Sequence, residues 1–273
     1  GERNTAVGVA SLGNNSSGGY NTGIGMYALA NNTTAGYATA VGYGALYANT
    51  TGINNTAVGY QALYSNNNNS NTAVGYQAGY TNSTGSSNTK IGYQAGYSNT
   101  TGSEQCFVGV QAGYSVTTGW GNTLIGQAVG YSLTTGSGNT FVGGADGRSY
   151  YPSGYFVTTG SNNSILGAYN GNQGGLDIRT SSNYIVLSDG AGNPRYYNDG
   201  TNTVLPTAGK LRFSATGALS GIEFYGNGKN TVSGPGTGAY IEYQNSGSYL
   251  FNGNQQFNIG SSSCLLYTSP SPR

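Results

Sequence analysis

Residues 71–80 read Asn-Thr-Ala-Val-Gly-Tyr-Gln-Ala-Gly-Tyr, and the motif returns with small changes through roughly the first two thirds of the chain. The glycine that closes Asn-Thr-Ala-Val-Gly falls at Gly8, Gly25, Gly42, Gly59, Gly75, Gly92, Gly109, Gly126, Gly143 and Gly167. Seven of the first eight steps between these anchors are 17 residues, one is 16, and the last is 24. So fixed a period marks a stacked repeat architecture. Seventeen residues are too few for a pair of helices with their turns. They suit one rung of a parallel β-solenoid, read here as two short strands and two turns. The strand part, Asn-Thr-Ala-Val-Gly-Tyr-Gln-Ala, alternates β-branched residues. The turn part, Asn-Thr-Thr-Gly-Ser-Asn, carries residues that accept positive φ or bond their own backbone. No Pro precedes Pro152, as a lattice in which each strand N–H donates to the next rung requires.

Reading down the columns predicts which side chains face inward. One position before the anchor stand only Val and Ile, from Val7 and Ile24 to Val142. A rung interior has a fixed volume, so this column is expected inside, with the alanines three after the anchor (Ala28, Ala45, Ala62, Ala78, Ala95, Ala112). Two before the anchor the residues run Ala6, Gly23, Ala40, Ala57, Ala73, Lys90, Phe107, Leu124 and Phe141. That range of sizes predicts an outward column, facing solvent or another chain. Three before the anchor, from Thr5 to Thr140, is Thr, replaced once by Cys106.

The composition agrees with stacking. Of 273 residues 49 are Gly and 25 are Tyr; there is no His, and nine basic and eight acidic residues leave a net charge of +1. Charged residues make up 6 %, against about 25 % in an ordinary domain. Between Asn4 and Gly143 the only charges are Lys90 and Glu104. Rungs repeat every ~4.8 Å, so a charged column would repel itself, whereas Asn, Thr and Tyr ladders bond or stack. The balanced charge excludes a nucleic-acid groove. One rung cannot hold itself together, and so small an interior predicts several chains side by side, a homotrimer being the expected assembly.

Residues 71–80 resemble the head repeats of trimeric autotransporter adhesins, which form a left-handed parallel β-roll in a three-chain bundle. They resemble more closely the repeats of phage tail-fibre proteins, whose copies also read Thr-Ala-Val-Gly-Tyr-Gln-Ala-Gly. The likeness covers about residues 4–190. The period of 17 is longer than that of the usual adhesin head repeat. Ile185-Val186-Leu187-Ser188-Asp189-Gly190 with Asn193 is similar to a segment of phage fibre proteins where the roll ends and a shaft follows. The resemblance implies a fibrous structural and adhesive protein at a virion tail, binding a host-surface glycan or other receptor. The alternative is the head of a bacterial trimeric adhesin, extracellular on the cell surface.

The organisation expected is an all-β chain. Residues 1–190 form the solenoid, with seven extra residues between 144 and 157. Residues 191–260 form a β-rich shaft or small domain, and residues 261–273 a tail of foreign composition. No apolar run approaches the ~20 residues of a membrane span.

Catalysis by Ser/His/Asp or Cys/His is excluded without His, and no metal or cofactor site is expected, since Cys106 has no partner ligands. A glycan-cleaving pair of carboxylates would come from Asp146, Asp177, Asp189, Asp199, Glu223 and Glu242, none in a recognisable motif. Asp189-Gly190 and Asp199-Gly200 read as hairpin turns. Gly174-Gly175-Leu176-Asp177 is a single copy of a pattern that binds calcium only when stacked. The chain is therefore expected not to be an enzyme. The 24-residue step is the place to look for recognition: it brings Tyr150, Tyr151, Tyr155 and Phe156 into a loop on a uniform rod, where aromatic faces suit sugar rings. An ice-binding solenoid, suggested by the Thr column, lacks a second Thr two residues away. A glycan depolymerase is a further alternative.

Overall fold

The computed structural model describes residues 1–144 and 151–205. These residues form no helix. Ten three-residue strands, β1 to β10, occupy Thr5–Val7, Thr22–Ile24, Thr39–Val41, Thr56–Val58, Thr72–Val74, Thr89–Ile91, Cys106–Val108, Thr123–Ile125, Thr140–Val142 and Ser164–Leu166. They are followed by β11 (Asn172–Gln173), β12 (Leu176–Asp177), β13 (Ile185–Ser188), β14 (Pro194–Asn198) and β15 (Thr203–Val204). Strands β1 to β10 and β13 stack in sequence order as one parallel ladder. Each residue pairs with its equivalent one rung on: Thr5 with Thr22, Thr56 with Thr72 across the 16-residue step, and Thr140 with Ser164 across the 24-residue step. The chain is a parallel β-solenoid with rungs about 17 residues apart.

Each regular rung has one strand, not the two expected. After the anchor the chain turns too sharply for a second. Gln61 and Leu63 both take positive φ (52° and 50°), as do their equivalents in the regular rungs from Gly8 to Gly126. Such a conformation costs an L-residue about 1–2 kcal/mol and is held here by the lattice: Gln61 N donates to Tyr43 O at 2.8 Å and Leu63 N to Ala78 O at 3.0 Å. The anchor must be glycine for a steric reason. A Cβ on Gly59, at φ 136°, would lie 2.4 Å from Gly75 O in the next rung.

The structure reverses the expected sidedness of two strand columns. The column two before the anchor points inward: Ala40, Ala57, Ala73, Lys90, Phe107, Leu124 and Phe141 are fully buried. The Val/Ile column points out, with Val7 56 %, Val74 36 % and Ile91 39 % exposed. The alanines three after the anchor are buried as expected. The inward column tolerates Ala and Phe because a second column compensates. In the early rungs small Ala40 and Ala57 accompany buried Leu46 and Leu63 four after the anchor. In the later rungs that partner is Gly, and the large strand residue fills its place: a Cβ on Gly113 would meet the Phe107 ring at 2.7 Å, and one on Gly154 the Phe141 ring at 2.3 Å. Volume is shared between the two columns and between neighbouring rungs, not held per column: where Ala73 and Gly79 are both small, the Lys90 stem of the next rung fills the space, 3.1 Å from a Cβ placed on Gly79.

This exchange divides the interior into two apolar clusters, one from Ala28 to Ala78 and one from Ala95 to Val186. Lys90 lies at the change-over, wholly buried. Its Nζ donates to Asn82 Oδ1 and Asn99 Oδ1, each at 3.0 Å. Burial lowers its pKa from 10.5 to about 7. The column of Asn82 and Asn99 changes at the same level. It is a buried amide ladder from Asn32 to Asn99 and becomes Val116, Leu133 and Val157 beyond. A second amide column continues through the solenoid. Asn71 Oδ1 accepts from Asn88 N at 3.1 Å while its Nδ2 donates to Gly85 O at 2.9 Å, and Asn139 repeats the pattern with Asn163 N and Gly160 O. Buried amides satisfied on both sides stabilise the stack where unpaired ones would each cost about 1–3 kcal/mol.

The parallel ladder ends at β13, which pairs antiparallel with β14, as β14 does with β15. The two expected hairpin turns are present. Asp189 Oδ1 accepts from Ala191 N and Asn193 N, and Asp199 Oδ1 from Thr201 N and Asn202 N. The remainder of the expected β-rich shaft or small domain, from residue 206 to 260, and the tail from 261 lie outside the described residues.

Candidate functional site

Tyrosines form surface ladders along the regular rungs. Tyr47, Tyr64, Tyr80, Tyr97, Tyr114, Tyr131 and Tyr155 stack with centroids 4.9–5.3 Å apart and planes within 14° of parallel. Tyr43, Tyr60, Tyr76 and Tyr93 form a second column at 5.1–5.2 Å. Between them Gln77 Nε2 donates to Gln61 Oε1 at 3.0 Å and Gln94 Nε2 to Gln77 Oε1 at 3.1 Å. Each interior ring has both faces against its neighbours, so only ring edges and hydroxyls meet solvent. These columns hold rungs together; their faces are closed to a sugar ring.

The regularity breaks in two successive rungs, the 24-residue step and the next, in which Ser164 pairs with Ile185. In the first, the chain rejoins the lattice at Ser153, whose carbonyl accepts from Gly130 N at 3.0 Å. Tyr155 caps the long tyrosine ladder, stacked on Tyr131 at 5.2 Å. Tyr151 leans on Tyr155 (4.9 Å, 46°) and on Phe156 (4.4 Å, 50°), and Phe156 meets Tyr155 edge to face at 5.1 Å. Three of the four residues expected to contact a ligand therefore sit together; Tyr150 lies outside the described residues. Tyr151 is 39 % exposed, and the rings of this cluster are tilted against one another where those of the ladder lie parallel.

In the second irregular rung β11 and β12 pair antiparallel as a hairpin, with Gly174 and Gly175 at positive φ (63° and 82°) at its tip. Such a glycine pair makes the tight turn that matches strand twist, which replaces the calcium reading of this segment. Ile178 N donates to Gly171 O at 2.8 Å and closes the hairpin base. Buried Tyr169 donates its hydroxyl to Leu176 O at 2.8 Å; burial, with Asp177 nearby, raises its pKa. At the foot of the hairpin Thr158, Asp177, Arg179, Thr180 and Ser181 line an open cleft of about 430 Å³. Arg179 Nη2 donates to Asp177 Oδ2 at 2.7 Å and Nε to Oδ1 at 3.0 Å.

The three described aspartates after the regular rungs are all shifted towards the anion. Hydrogen bonds from Arg179 lower the pKa of Asp177. Asn193 N, then Arg195, does so for Asp189, and Asn202 N for Asp199. A general acid needs the opposite shift. Asp146, Glu223 and Glu242 lie outside the described residues. No group of three or more His, Cys, Asp or Glu able to hold a metal occurs among the described residues. No helix among them is long and apolar enough to cross a membrane. Cys106 is half-buried in the outward Thr column, not in the interior. Sequence reading missed Arg179 and Thr158; the Gly174-Gly175 doublet was the signal that a hairpin projects here. No protein-family model, curated protein or solved structure matches the chain.

Proposed function

We propose that the chain is part of a non-enzymatic, fibrous adhesive protein of the phage tail-fibre kind, a homotrimeric rod on the virion tail that contacts a host-surface glycan. The observation that carries the reading is a uniform rod interrupted only in two adjoining rungs, where Tyr151, Tyr155 and Phe156 gather. Recognition residues commonly sit on loops held by a rigid scaffold. The head of a bacterial trimeric adhesin has the same physical logic and is the alternative. A coiled coil and membrane anchor in the full-length gene would favour it. Deleting residues 145–151 returns this rung to 17 residues and tests the reading. Labelled protein is expected to bind a panel of bacterial surface polysaccharides, and the deletion variant to lose that binding while keeping its β-type circular dichroism. Equal binding by the variant refutes the assignment, and shortened polysaccharide chains refute the non-enzymatic part.

The trimer is supported by the outward Val/Ile column. It runs the length of the ladder, continues into Leu166 and Leu187, and ends at an apolar cleft of about 210 Å³ lined by Val142, Leu166, Ile185 and Leu187. Ten steps of ~4.8 Å make it roughly 50 Å long, a larger apolar strip than a monomer normally exposes. Threefold packing covers it with its own kind and closes the assembly. Light scattering is expected to give three times 27.9 kDa; a folded monomer refutes it.

One observation favours a second reading. Thr and Val/Ile both face outward, in a flat, uncharged array of ~4.8 by ~6.6 Å, which suits an ice surface. A face buried in a trimer cannot meet ice, so a monomer that shows thermal hysteresis would replace the adhesive reading.

A further inference from the structure

We propose that the cleft at the foot of the β11–β12 hairpin binds a neutral hexose through a pair of vicinal hydroxyls, with Asp177 and Arg179 as the reading residues and Phe156 as the adjoining apolar wall. The proposal rests on the glycan-binding reading and supplies its polar half.

Three features meet here. The first is placement. Val157 is buried while Phe156 and Thr158 on either side are half-buried, so both of these side chains reach the surface at the end of the turn that Val157 N closes on Gly154 O at 3.0 Å. Phe156 belongs to the aromatic cluster and Thr158 lines the cleft. The hairpin base is laid against them: Phe156 N donates to Asn170 O at 2.8 Å and Thr158 N to Arg179 O at 2.7 Å. The two irregular rungs thus put a ring surface beside a polar hollow.

The second is the chemistry of the hollow. Arg179 spends Nε and Nη2 on Asp177 and leaves Nη1 without a partner among the described residues. Thr158 Oγ1 donates to Arg179 O at 3.1 Å, so its lone pairs remain open to a ligand hydroxyl. Thr180 and Ser181 add hydroxyls on the rim. A guanidinium and a carboxylate side by side offer donors and acceptors at one spacing. Vicinal hydroxyls, each of which both gives and accepts, match such a pair. The outer edges are reachable, since the two side chains are 51 % and 49 % exposed.

The third is charge. The ion pair cancels, and the pKa of Asp177 is lowered, so its negative charge persists at neutral pH. An acidic sugar would place a second carboxylate beside it. The regular rungs offer no such combination, as their only charges between Asn4 and Gly143 are buried Lys90 and Glu104.

The full 273-residue chain is titrated by NMR with the methyl α-glycosides of glucose, galactose, mannose and glucuronic acid. At least one neutral glycoside is expected to bind, and the glucuronide roughly tenfold more weakly. Arg179→Ala and Asp177→Asn are each expected to weaken binding roughly tenfold, the loss usual for a charged hydrogen bond. The double variant Asp177→Arg with Arg179→Asp keeps an ion pair and is expected to keep the melting temperature yet still fail to bind. If Arg179→Ala binds as the wild type does while Phe156→Ala does not, the aromatic reading stands and the cleft is refuted. Preference for the glucuronide refutes the neutral class. If the wild type binds no glycoside, the glycan reading and this proposal fall together.

Discussion

Replacing Lys90 with Met should stabilise the protein at neutral pH and abolish part of its pH dependence. The lysine is wholly buried, and its pKa falls from 10.5 to about 7. Below pH 7 both folded and unfolded chains carry the proton, and the folded state bears the full penalty, about 5 kcal/mol at ~1.4 kcal/mol per unit of pKa. Between pH 7 and 10.5 the unfolded chain binds more protons than the folded one, so stability rises with pH across that window. Methionine fits the same channel between Leu63, Phe107 and the backbone of Gly79 and Gly96. It removes the penalty but leaves Asn99 Oδ1 without its donor, a loss of about 1–3 kcal/mol; Asn82 Oδ1 keeps Asn88 Nδ2 at 3.4 Å. The net gain expected at pH 7 is about 2–4 kcal/mol, shrinking and then reversing as pH rises. Urea denaturation followed by far-ultraviolet circular dichroism, from about pH 6 to 8.5 and so below tyrosine ionisation, measures both variants. Wild-type stability should climb above pH 7 while the Met variant stays nearly level. A wild type with no such rise, or a Met variant less stable at pH 7, would refute the argument.

Other consequences are testable in the same way. Phe107→Ala and Gly113→Leu should each destabilise by about 3 kcal/mol, the first by a cavity and the second by collision with the ring. Combined they recreate the Ala57/Leu63 arrangement, and denaturation should show more than half of the summed loss recovered. Val74→Asp should leave the solenoid fold intact but reduce the mass seen by light scattering to that of one chain; an intact trimer would show that the aliphatic strip is not the contact. Tyr114→Ala should cost about 1–3 kcal/mol through lost stacking and area, whereas Tyr114→Phe should be nearly silent in thermal melts, because the ring and not the hydroxyl joins the rungs.

The ladder was legible because a rung-by-rung lattice forces equivalent residues into register, and Thr5, Thr22 and Thr39 pair as their spacing says. The extra residues before Thr158 were legible for the same reason: Thr158-Thr159-Gly160 restores the phase. Sidedness was misread because each column was judged alone. Ala57 with Leu63 and Phe107 with Gly113 hold a joint volume, and only the two columns read together reveal it. The second strand was an illusion of alternation, since Tyr76-Gln77-Ala78 looks extended although Gln77 takes φ 50°. At the candidate site the aromatic cluster could be anticipated from composition. The pairing of Arg179 with Asp177 could not, because it depends on where the hairpin base meets Thr158.

The shared filling of the channel also limits how such a gene can change length. Segments as alike as residues 55–62 and 71–78 are natural substrates for unequal recombination, and every event adds or removes one whole step, so the rod behaves as a ruler graduated in single rungs. An exchange within the early or the late half leaves a well-filled channel. A breakpoint inside the motif that joins the halves would unite Phe with Leu in one layer and overfill it, or repeat the Ala73/Gly79 layer without the Lys90 stem that fills it. Length should therefore vary freely on either side of Lys90, with the position of the lysine itself marking where hybrids are lost.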